Sequence, residues 1–278
     1  MLRYPGGKLR LMKKINIVIN QELVDLKDNK EILIGDCFVG GGGSLINLAK
    51  DFPNAKFSIN DKNIEVFKFW RFFINATNKD IEDFISKIKN VKPTLEKYHE
   101  IFNSQPNDDF DFAFKILFLN KTSFNGYITK PIPIGGKEQK GKWKLDCYWN
   151  HKTLSKNINN TYSLLKNRVI SVTNDDYKDF LEKKYDMIYA DPPYIKYGSK
   201  WYGIDFNIEN FEELLILLKK ASDKVVVSID NQDAVLDIAR KYDYLIKQIN
   251  IKYTSKSSFK KNIDSDNELI LIKNVERL

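Results

Sequence analysis

Short apolar runs alternate along the chain with longer stretches in which apolar residues recur at helical spacing. The short runs are rich in Ile, Val, Phe and Tyr, as expected for buried strands. They lie at residues 32–34, 55–61, 169–172, 185–190 and 224–231, and two more follow at 245–253 and 268–273. The longer stretches predict helices at residues 9–21, 45–50, 109–119, 151–166, 211–220 and 234–242. This alternation predicts an α/β fold with a doubly wound, mostly parallel sheet and one antiparallel edge strand.

The alternation is interrupted in the middle of the chain. Residues 64–104 show helical periodicity alone. The recognition segment, as we call residues 120–149, is rich in turn-forming residues, and its Asn125-Gly126 pair is typical of β-hairpins. We therefore predict a helical and β-hairpin insertion for target recognition. The predicted boundaries are 1–64 and 166–278 for the core and 65–165 for the insertion.

Size and composition limit the class of protein. A chain of 278 residues with 42% hydrophobic residues can form one large domain with an insertion. No run approaches the roughly 18 consecutive apolar residues of a membrane span, and the N-terminus lacks an apolar signal region, so we expect no membrane association. Two cysteines and two histidines suit neither a disulfide framework nor a zinc site. We expect no metal, and a reducing cytoplasm in a bacterial or phage-infected cell.

The charge points to a polyanionic partner. The formal net charge is +8, although a lysine-rich composition can also reflect an AT-rich genome. The recognition segment is both basic and aromatic, and lysines suit phosphates whereas Asn and aromatic side chains suit bases. We predict that it contacts DNA, with a solvated surface hairpin as the alternative. The predicted DNA contacts are Asn120, Lys121, Phe124, Asn125, Lys137, Lys140, Lys142 and Lys144.

Two glycine-containing turns are suited to a close-fitting ligand. One is the Pro-Gly-Gly turn within residues 3–8, and the other is the glycine-rich segment 36–44, which follows the first strand. Asp61 ends the second strand, where an acid can accept hydrogen bonds from ribose hydroxyls. The segment is neither a dinucleotide fingerprint nor a P-loop, so a nucleotide without a specific pyrophosphate site is predicted.

The Asp-Pro-Pro-Tyr turn, residues 191–194, follows a predicted strand that is short, apolar and aromatic. Its two prolines exclude a helix and remove two N–H donors, so the turn is stiff and offers free carbonyl groups. Ligands of α/β sheets bind at the carboxyl ends of strands. One carboxylate, one free carbonyl and one aromatic face suit a flat ring with an exocyclic amine. The alternative is a plain proline-rich turn with a core tyrosine.

Taken in order, these motifs resemble the Dam-like (alpha, or D12) class of N6-adenine-specific DNA methyltransferases. Residues 3–8 resemble the methionine-site motif of that class, residues 36–44 its glycine motif and Asn60-Asp61 its acidic motif. Asn120 to Gly126 is similar to the start of its recognition hairpin, and residues 191–194 match its catalytic tetrapeptide. The resemblance spans essentially the whole chain. It departs at Tyr4, where several relatives carry Trp, and it does not give the target sequence.

The resemblance implies a Rossmann-like catalytic core that uses S-adenosylmethionine. It implies cofactor contacts from Tyr4, Lys8, Phe38, Gly40, Gly42, Asp61 and Asp191. Asp191 and the carbonyl of Pro192 would accept from N6 of an adenine flipped out of double-stranded DNA, and Tyr194 would stack on the base.

The resemblance also implies site-specific methylation within, or derived from, a restriction-modification system with a cognate endonuclease. Three alternatives remain open from the sequence. They are N4-cytosine methylation, methylation of RNA or a protein glutamine, and a catalytically silent DNA-binding relative.

Overall fold

The computed structural model describes residues 1–3, 12–22, 31–126, 128, 131–195, 206–250 and 267–273. The strands are β1 Ile32–Asp36, β2 Ala55–Asn60, β3 Val169–Thr173, β4 Met187–Ala190, β5 Val225–Asp230, β6 Tyr244–Asn250 and β7 Asn267–Lys273. The helices are α1 Met12–Glu22, α2 Gly43–Asp51, α3 Ile64–Asn75, α4 Asn78–Asn90, α5 Leu95–Asn103, α6 Asp109–Thr122, α7 His151–Leu165, α8 Tyr177–Phe180, α9 Ile208–Ala221 and α10 Asp233–Lys241. Over the described residues, no helix has the length and apolar character that crossing a membrane would require.

The strands form one mixed sheet in the order β3-β2-β1-β4-β5-β7-β6. β1 pairs in parallel with β2 and β4, and β4 pairs in parallel with β5. The predicted α/β fold with a mostly parallel sheet is therefore confirmed. The position of the reversed strand was predicted wrongly: β7 is antiparallel to both β5 and β6 and lies between them, one strand in from the edge. β6, which precedes β7 in the chain, takes the edge position, so β7 pairs with one strand on each side.

The central strands are buried along their whole length. All four residues of β4 and the first five of β5 are buried. Strands covered on both faces need apolar side chains at every position, so they appear in the sequence as continuous apolar runs without alternation. This explains why the strands at residues 185–190 and 224–231 are recognisable from composition alone.

The chain divides into two compact units, each made of separate stretches. The first unit contains residues 1–8, 39–53 and 61–174, and the second contains residues 9–38, 54–60 and 175–278. The predicted insertion at 65–165 lies wholly within the first unit. That unit also includes the glycine-rich turn and Asp61, which the sequence prediction had placed in the core.

Helices of the first unit pack around clustered phenylalanines. Phe72 of α3 stacks on Phe84 of α4 with ring centroids 5.1 Å apart, and Phe110 of α6 meets both rings edge to face. A bidentate ion pair between Arg71 and Asp109 joins α3 to α6 at 2.7 and 2.5 Å. The predicted helical periodicity of this region is confirmed, and its apolar faces form the core of the unit.

The recognition segment is less regular than the predicted β-hairpin. α6 continues through Thr122, and a single antiparallel bridge then joins Ser123 to Pro133. No strand is assigned among the described residues from 123 to 149. The ladder is short because Thr122 still belongs to α6 and residues Phe124–Gly126 form a 3₁₀ turn.

Candidate active site

Polar residues of the second unit lie where its parallel strands end. Asp36 ends β1 and is opposite Ile59 of β2 and Tyr189 of β4. Asn60, the last residue of β2, therefore lies one position beyond Ile59. Asp191, which follows β4, lies two positions beyond Tyr189. Since these strands run in parallel, the three polar residues share the carboxyl edge of the sheet, where ligands bind in folds of this type.

Asn60 fixes the backbone at this edge. Its side-chain amide donates to the carbonyl oxygens of Cys37 at 3.3 Å and Asp175 at 3.1 Å, and its oxygen accepts from the Asp175 N–H at 2.9 Å. Asp36 is buried, and its carboxylate accepts from the N–H of Phe38 at 3.2 Å. The loops that follow β1 and β3 are thus held by side chains of the strands themselves.

The Asp-Pro-Pro-Tyr turn leaves its carboxylate partly accessible and holds its aromatic ring in place. Asp191 is half-buried, whereas Pro192 and Tyr194 are buried. The Tyr194 hydroxyl donates to Oε2 of Glu268 at 3.1 Å. The other oxygen of Glu268 accepts from the Ser228 hydroxyl at 2.7 Å. The hydroxyl end of the Tyr194 ring is therefore fixed to β7.

Three aromatic side chains form a wall beside the end of β1. Phe38 lies 5.9 Å from Tyr177 and 6.2 Å from Phe206, measured between ring centroids, and Tyr177 lies 6.1 Å from Phe206. Burial, together with Glu213, raises the pKa of the Tyr177 hydroxyl, so it stays protonated at neutral pH. The wall is therefore apolar and uncharged.

In the first unit, the glycine loop (residues 39–43) is held by Trp70. Gly40 and Gly42 have φ angles of 47° and 74°, in the left-handed region that favours glycine. The indole N–H of Trp70 donates to the Gly40 carbonyl at 2.9 Å. A Cβ atom on Gly42 would lie 2.1 Å from Cζ2 of Trp70. Gly42 is thus required by the close approach of the indole ring.

Asp61 holds the same loop from the other side. One carboxylate oxygen accepts from the Gly40 N–H at 2.8 Å, and the other accepts from the Asn63 N–H at 2.9 Å. Burial raises the pKa of Asp61 to about 6, against the lowering effect of these two hydrogen bonds. The Asn174 side chain donates to the Asp61 carbonyl at 2.8 Å, which fixes the backbone as well.

The recognition segment, also in the first unit, exposes lysines and large apolar side chains. Its lysines at 137, 140, 142 and 144 are all exposed. Phe124, Ile132 and Trp143 are 58%, 61% and 66% exposed. Gln139 holds the segment in shape, because its amide donates to the Ile134 carbonyl at 2.6 Å and accepts from the Leu145 N–H at 3.0 Å.

The sequence model of the D12 class of N6 adenine-specific DNA methyltransferases matches residues 4–259. The chain belongs to this class. It is similar to the type II methyltransferase M.CviBI of Paramecium bursaria Chlorella virus NC1A, with 24% identity over 244 residues, or 85% of this chain and 87% of that protein. The type II methyltransferase M.MjaIII of Methanocaldococcus jannaschii is 27% identical over 207 residues, or 69% of this chain and 68% of that protein.

Among solved structures, the magnesium protoporphyrin IX methyltransferase from Synechocystis PCC 6803 with bound SAM resembles the chain with a TM-score of 0.42. The two share 10% sequence identity, over 97% of this chain and 81% of that chain.

Membership of the D12 class confirms the predicted family, enzyme class, DNA substrate and cofactor. This methyltransferase uses S-adenosylmethionine. The described residues fit that cofactor, since carboxylates at the ends of the neighbouring strands β1 and β4 suit a sulfonium cation. The glycine loop suits a ligand that approaches the backbone closely.

The predicted site residues fall into three groups. Phe38, Asp191, Pro192 and Tyr194 lie together in the second unit, at or directly after the carboxyl edge of the sheet, and Gly40, Gly42 and Asp61 lie together in the first. Tyr4 and Lys8 lie outside the described residues.

Asn120 and Lys121 require a correction, because both were predicted to contact DNA and both side chains are buried. The Asn120 amide donates to the carbonyls of Arg3 and Gly126 at 2.6 and 2.8 Å, and its oxygen accepts from the Arg3 N–H at 2.7 Å. Lys121 donates to the Met1 carbonyl at 2.9 Å, and burial together with Arg3 lowers its pKa to about 8. They fix the N-terminal residues to the start of the recognition segment.

Two residues with contacts to the site were not found from the sequence. Trp70 was interpreted only as a core residue of a helix, and Glu268 only as the first residue of a strand. Helical periodicity correctly places Trp70 inside, but nothing in it signals the indole bond to Gly40. A charged residue inside an apolar strand, as Glu268 is, was the signal that could have been noticed.

Proposed function

We propose that this methyltransferase transfers a methyl group to N6 of an adenine flipped out of double-stranded DNA at a specific sequence. The observation that carries the proposal is the stiff Asp-Pro-Pro-Tyr turn at the carboxyl end of the buried strand β4, beside Asp36 at the end of β1. The turn offers a carboxylate, a carbonyl and an aromatic ring within four residues. An adenine inside a duplex cannot bring N6 to such a site, so it must leave the stack.

The proposed chemistry is direct transfer with three roles for the turn. S-adenosylmethionine, when bound, supplies an electrophilic methyl group on a sulfonium. Asp191 and the Pro192 carbonyl accept hydrogen bonds from the N6 amine, which raises its electron density and orients its lone pair. Tyr194 stacks on the base. The carbon–sulfur bond would break as the carbon–nitrogen bond forms, which leaves neutral S-adenosylhomocysteine, and N6 would release one proton to solvent water. Positioning and electrostatics account for the rate of this step.

The cofactor site is proposed from the family pattern and the described contacts. Gly40, Gly42 and Asp61 hold one part, with Asp61 offering its carboxylate to the ribose hydroxyls. Phe38 and Asp191 are the other described members of the proposed set. Tyr4 and Lys8 complete the proposed set, with Lys8 beside the methionine carboxylate.

The DNA contacts that we retain are the exposed ones. Lys137, Lys140, Lys142 and Lys144 are proposed to neutralise phosphates, and Phe124 and Asn125 to reach bases. Asn125 is exposed and has a φ of 54°, so it projects from the tight turn instead of packing inside. Asn120 and Lys121 are buried beneath this surface, where they bond the N-terminal residues to the start of the recognition segment.

We also propose a place beside a restriction endonuclease that cuts the same sequence. Both relatives are named type II methyltransferases, the kind of enzyme that protects a site from such cleavage. Because the substrate is DNA, the proposed location is the cytoplasm of a bacterial or phage-infected cell.

The test is methyl incorporation from labelled S-adenosylmethionine into unmethylated DNA, followed by digestion to nucleosides. We expect N6-methyladenine from the natural sequence. Asp191→Ala should lower kcat by about 100-fold or more, because it removes an acceptor aimed at the reacting amine. Asp237→Ala, which changes an exposed aspartate of α10, is the control and should keep full activity.

Other products would change the proposal in defined ways. N4-methylcytosine would keep the site and replace the substrate base. Full activity of Asp191→Ala would remove this residue from the chemistry. DNA binding without incorporation would favour a catalytically silent DNA-binding relative. Incorporation into RNA alone would replace DNA by RNA as the substrate.

A further inference from the structure

Glu268 is a buried carboxylate in the interior of the sheet. It is 2% exposed and lies on β7, opposite Asp230 of β5 and Ile249 of β6. Its backbone is therefore paired on both sides, in a strand that cannot shift without breaking two ladders. A charged group in such a place is costly unless hydrogen-bond donors compensate for the lost water.

Two hydroxyl groups provide that compensation, one for each carboxylate oxygen. Ser228 of β5 donates to Oε1 at 2.7 Å, and Tyr194 donates to Oε2 at 3.1 Å. Glu268 thus connects the Asp-Pro-Pro-Tyr turn to two strands of the sheet.

This bond holds the hydroxyl end of the Tyr194 side chain. The two prolines that precede Tyr194 stiffen only the main chain. The hydroxyl lies at the far end of the ring, so fixing it sets the direction of the long axis of the ring, from Cβ to the hydroxyl. A ring that stacks on a flipped base must keep this position, because small misplacements of reacting groups slow transfer strongly.

We propose that Glu268 is a positioning residue for methyl transfer, acting through the Tyr194 hydroxyl. It makes no contact with base or cofactor in this scheme. The proposal rests on the proposed role of Tyr194 as the residue that stacks on the target base. It assigns a function to a buried acid of β7, about 70 residues beyond the turn it serves.

The first experiment is a double-mutant cycle on kcat for methyl incorporation. Tyr194→Phe keeps the ring and removes the hydroxyl, and Glu268→Ala removes the acceptor. Each should lower kcat by about 10-fold or more, and the double variant should be no slower than the slower single variant. Glu268→Gln keeps an acceptor oxygen and should recover most of the activity.

A matched control compares the Tyr194–Glu268 hydrogen bond with a Tyr–Glu hydrogen bond elsewhere in the protein. Glu212 accepts from the Tyr242 hydroxyl at 2.8 Å on the surface of the same unit. Glu212→Gln should leave kcat unchanged. The Kd for S-adenosylmethionine, measured by calorimetry, should stay at the natural value in Glu268→Gln and in Tyr194→Phe. If Glu268→Ala does not fold, Tyr194→Phe alone tests the bond, and an unchanged kcat in that variant would overturn the positioning role.

A second readout needs no enzymatic activity. With fluorotyrosine incorporated, the ¹⁹F signal of Tyr194 is identified by its absence in Tyr194→Phe. The chemical shift of this signal should change in Glu268→Gln and should not change in Glu212→Gln. An unmoved signal would overturn the Tyr194–Glu268 bond, and additive effects on kcat would overturn the positioning role. A shifted signal in a chain that methylates no adenine would instead keep the bond and reject the proposed function.

Discussion

At the scale of single residues, the glycine loop shows how one turn is held by side chains from two sides. The N–H of Gly40 donates to Asp61 and its carbonyl accepts from Trp70, so both polar groups of one residue's backbone are used. Gly42 lies against the same indole ring. The loop geometry therefore depends on α3 as much as on the glycines themselves.

Gly42→Ala should be far more destabilising than Gly136→Ala. Both glycines have a left-handed φ, of 74° and 76°, so alanine is strained by about 1 kcal/mol at either position. Only Gly42 faces an obstacle, since its Cβ would lie 2.1 Å from Trp70 while nothing lies within 4 Å at Gly136. Overpacking should add about 2 kcal/mol to the loss of unfolding free energy, measured by urea denaturation. Equal losses would mean that Trp70 can move aside.

Cofactor binding should weaken as the pH falls through about 6, the raised pKa of Asp61. Protonation removes the negative charge that accepts from Gly40 and Asn63. Because the folded chain holds this proton more tightly than the unfolded chain, Asp61 itself costs increasing stability as the pH rises from its ordinary pKa of 3.8 to about 6. Protonation of Asp61 at low pH should therefore weaken cofactor binding while it stabilises the folded chain.

The measurement is the Kd for S-adenosylmethionine by calorimetry from about pH 8 to about pH 5, across this pKa range. Asp61→Asn should raise the Kd by about 10-fold or more, since its amide nitrogen cannot accept from a backbone N–H. It should also flatten the profile near pH 6. A natural profile that is already flat would contradict the role of the carboxylate.

At the scale of elements, the recognition segment is a stretch of turns fixed at its ends and at its centre. α6 leads into it through buried Asn120, and Trp149 closes it by donating from its indole N–H to the Val91 carbonyl at 3.1 Å. Gln139 holds the middle. Few strand hydrogen bonds are then needed, and the lysines between these anchors are left to face solvent.

Lys142→Ala should weaken DNA binding for all sequences and lower the salt slope by roughly 0.9 for each phosphate that the lysine neutralises. Lys79→Ala is the control, because Lys79 is an exposed lysine of the same unit on α4, with a side chain 79% exposed. Fluorescence anisotropy between about 50 and 200 mM salt gives both slopes. An unchanged slope in Lys142→Ala would place this lysine outside the interface.

At the scale of the whole molecule, neighbours in the sheet and in the units come from distant parts of the chain. β1 pairs with β4 across about 150 residues, and both units are assembled from three separate stretches. The order β5-β7-β6 places the last strand between two earlier ones. Such arrangements depend on which apolar surfaces fit together, and no local pattern encodes them.

Local signals in the sequence predict the strands, most of the helices, the family and the Asp-Pro-Pro-Tyr turn. Each of these rests on a local signal, such as an apolar run, a helical period or four consecutive residues with fixed backbone chemistry. The tertiary structure decided which polar side chains serve the protein interior. Asn120 and Lys121 resembled DNA contacts until burial assigned them to the N-terminal residues, and Glu268 had no role until the sheet order brought it to Tyr194. The physical reason is that a hydrogen-bond partner can lie anywhere along the chain, whereas periodicity reports only on neighbours.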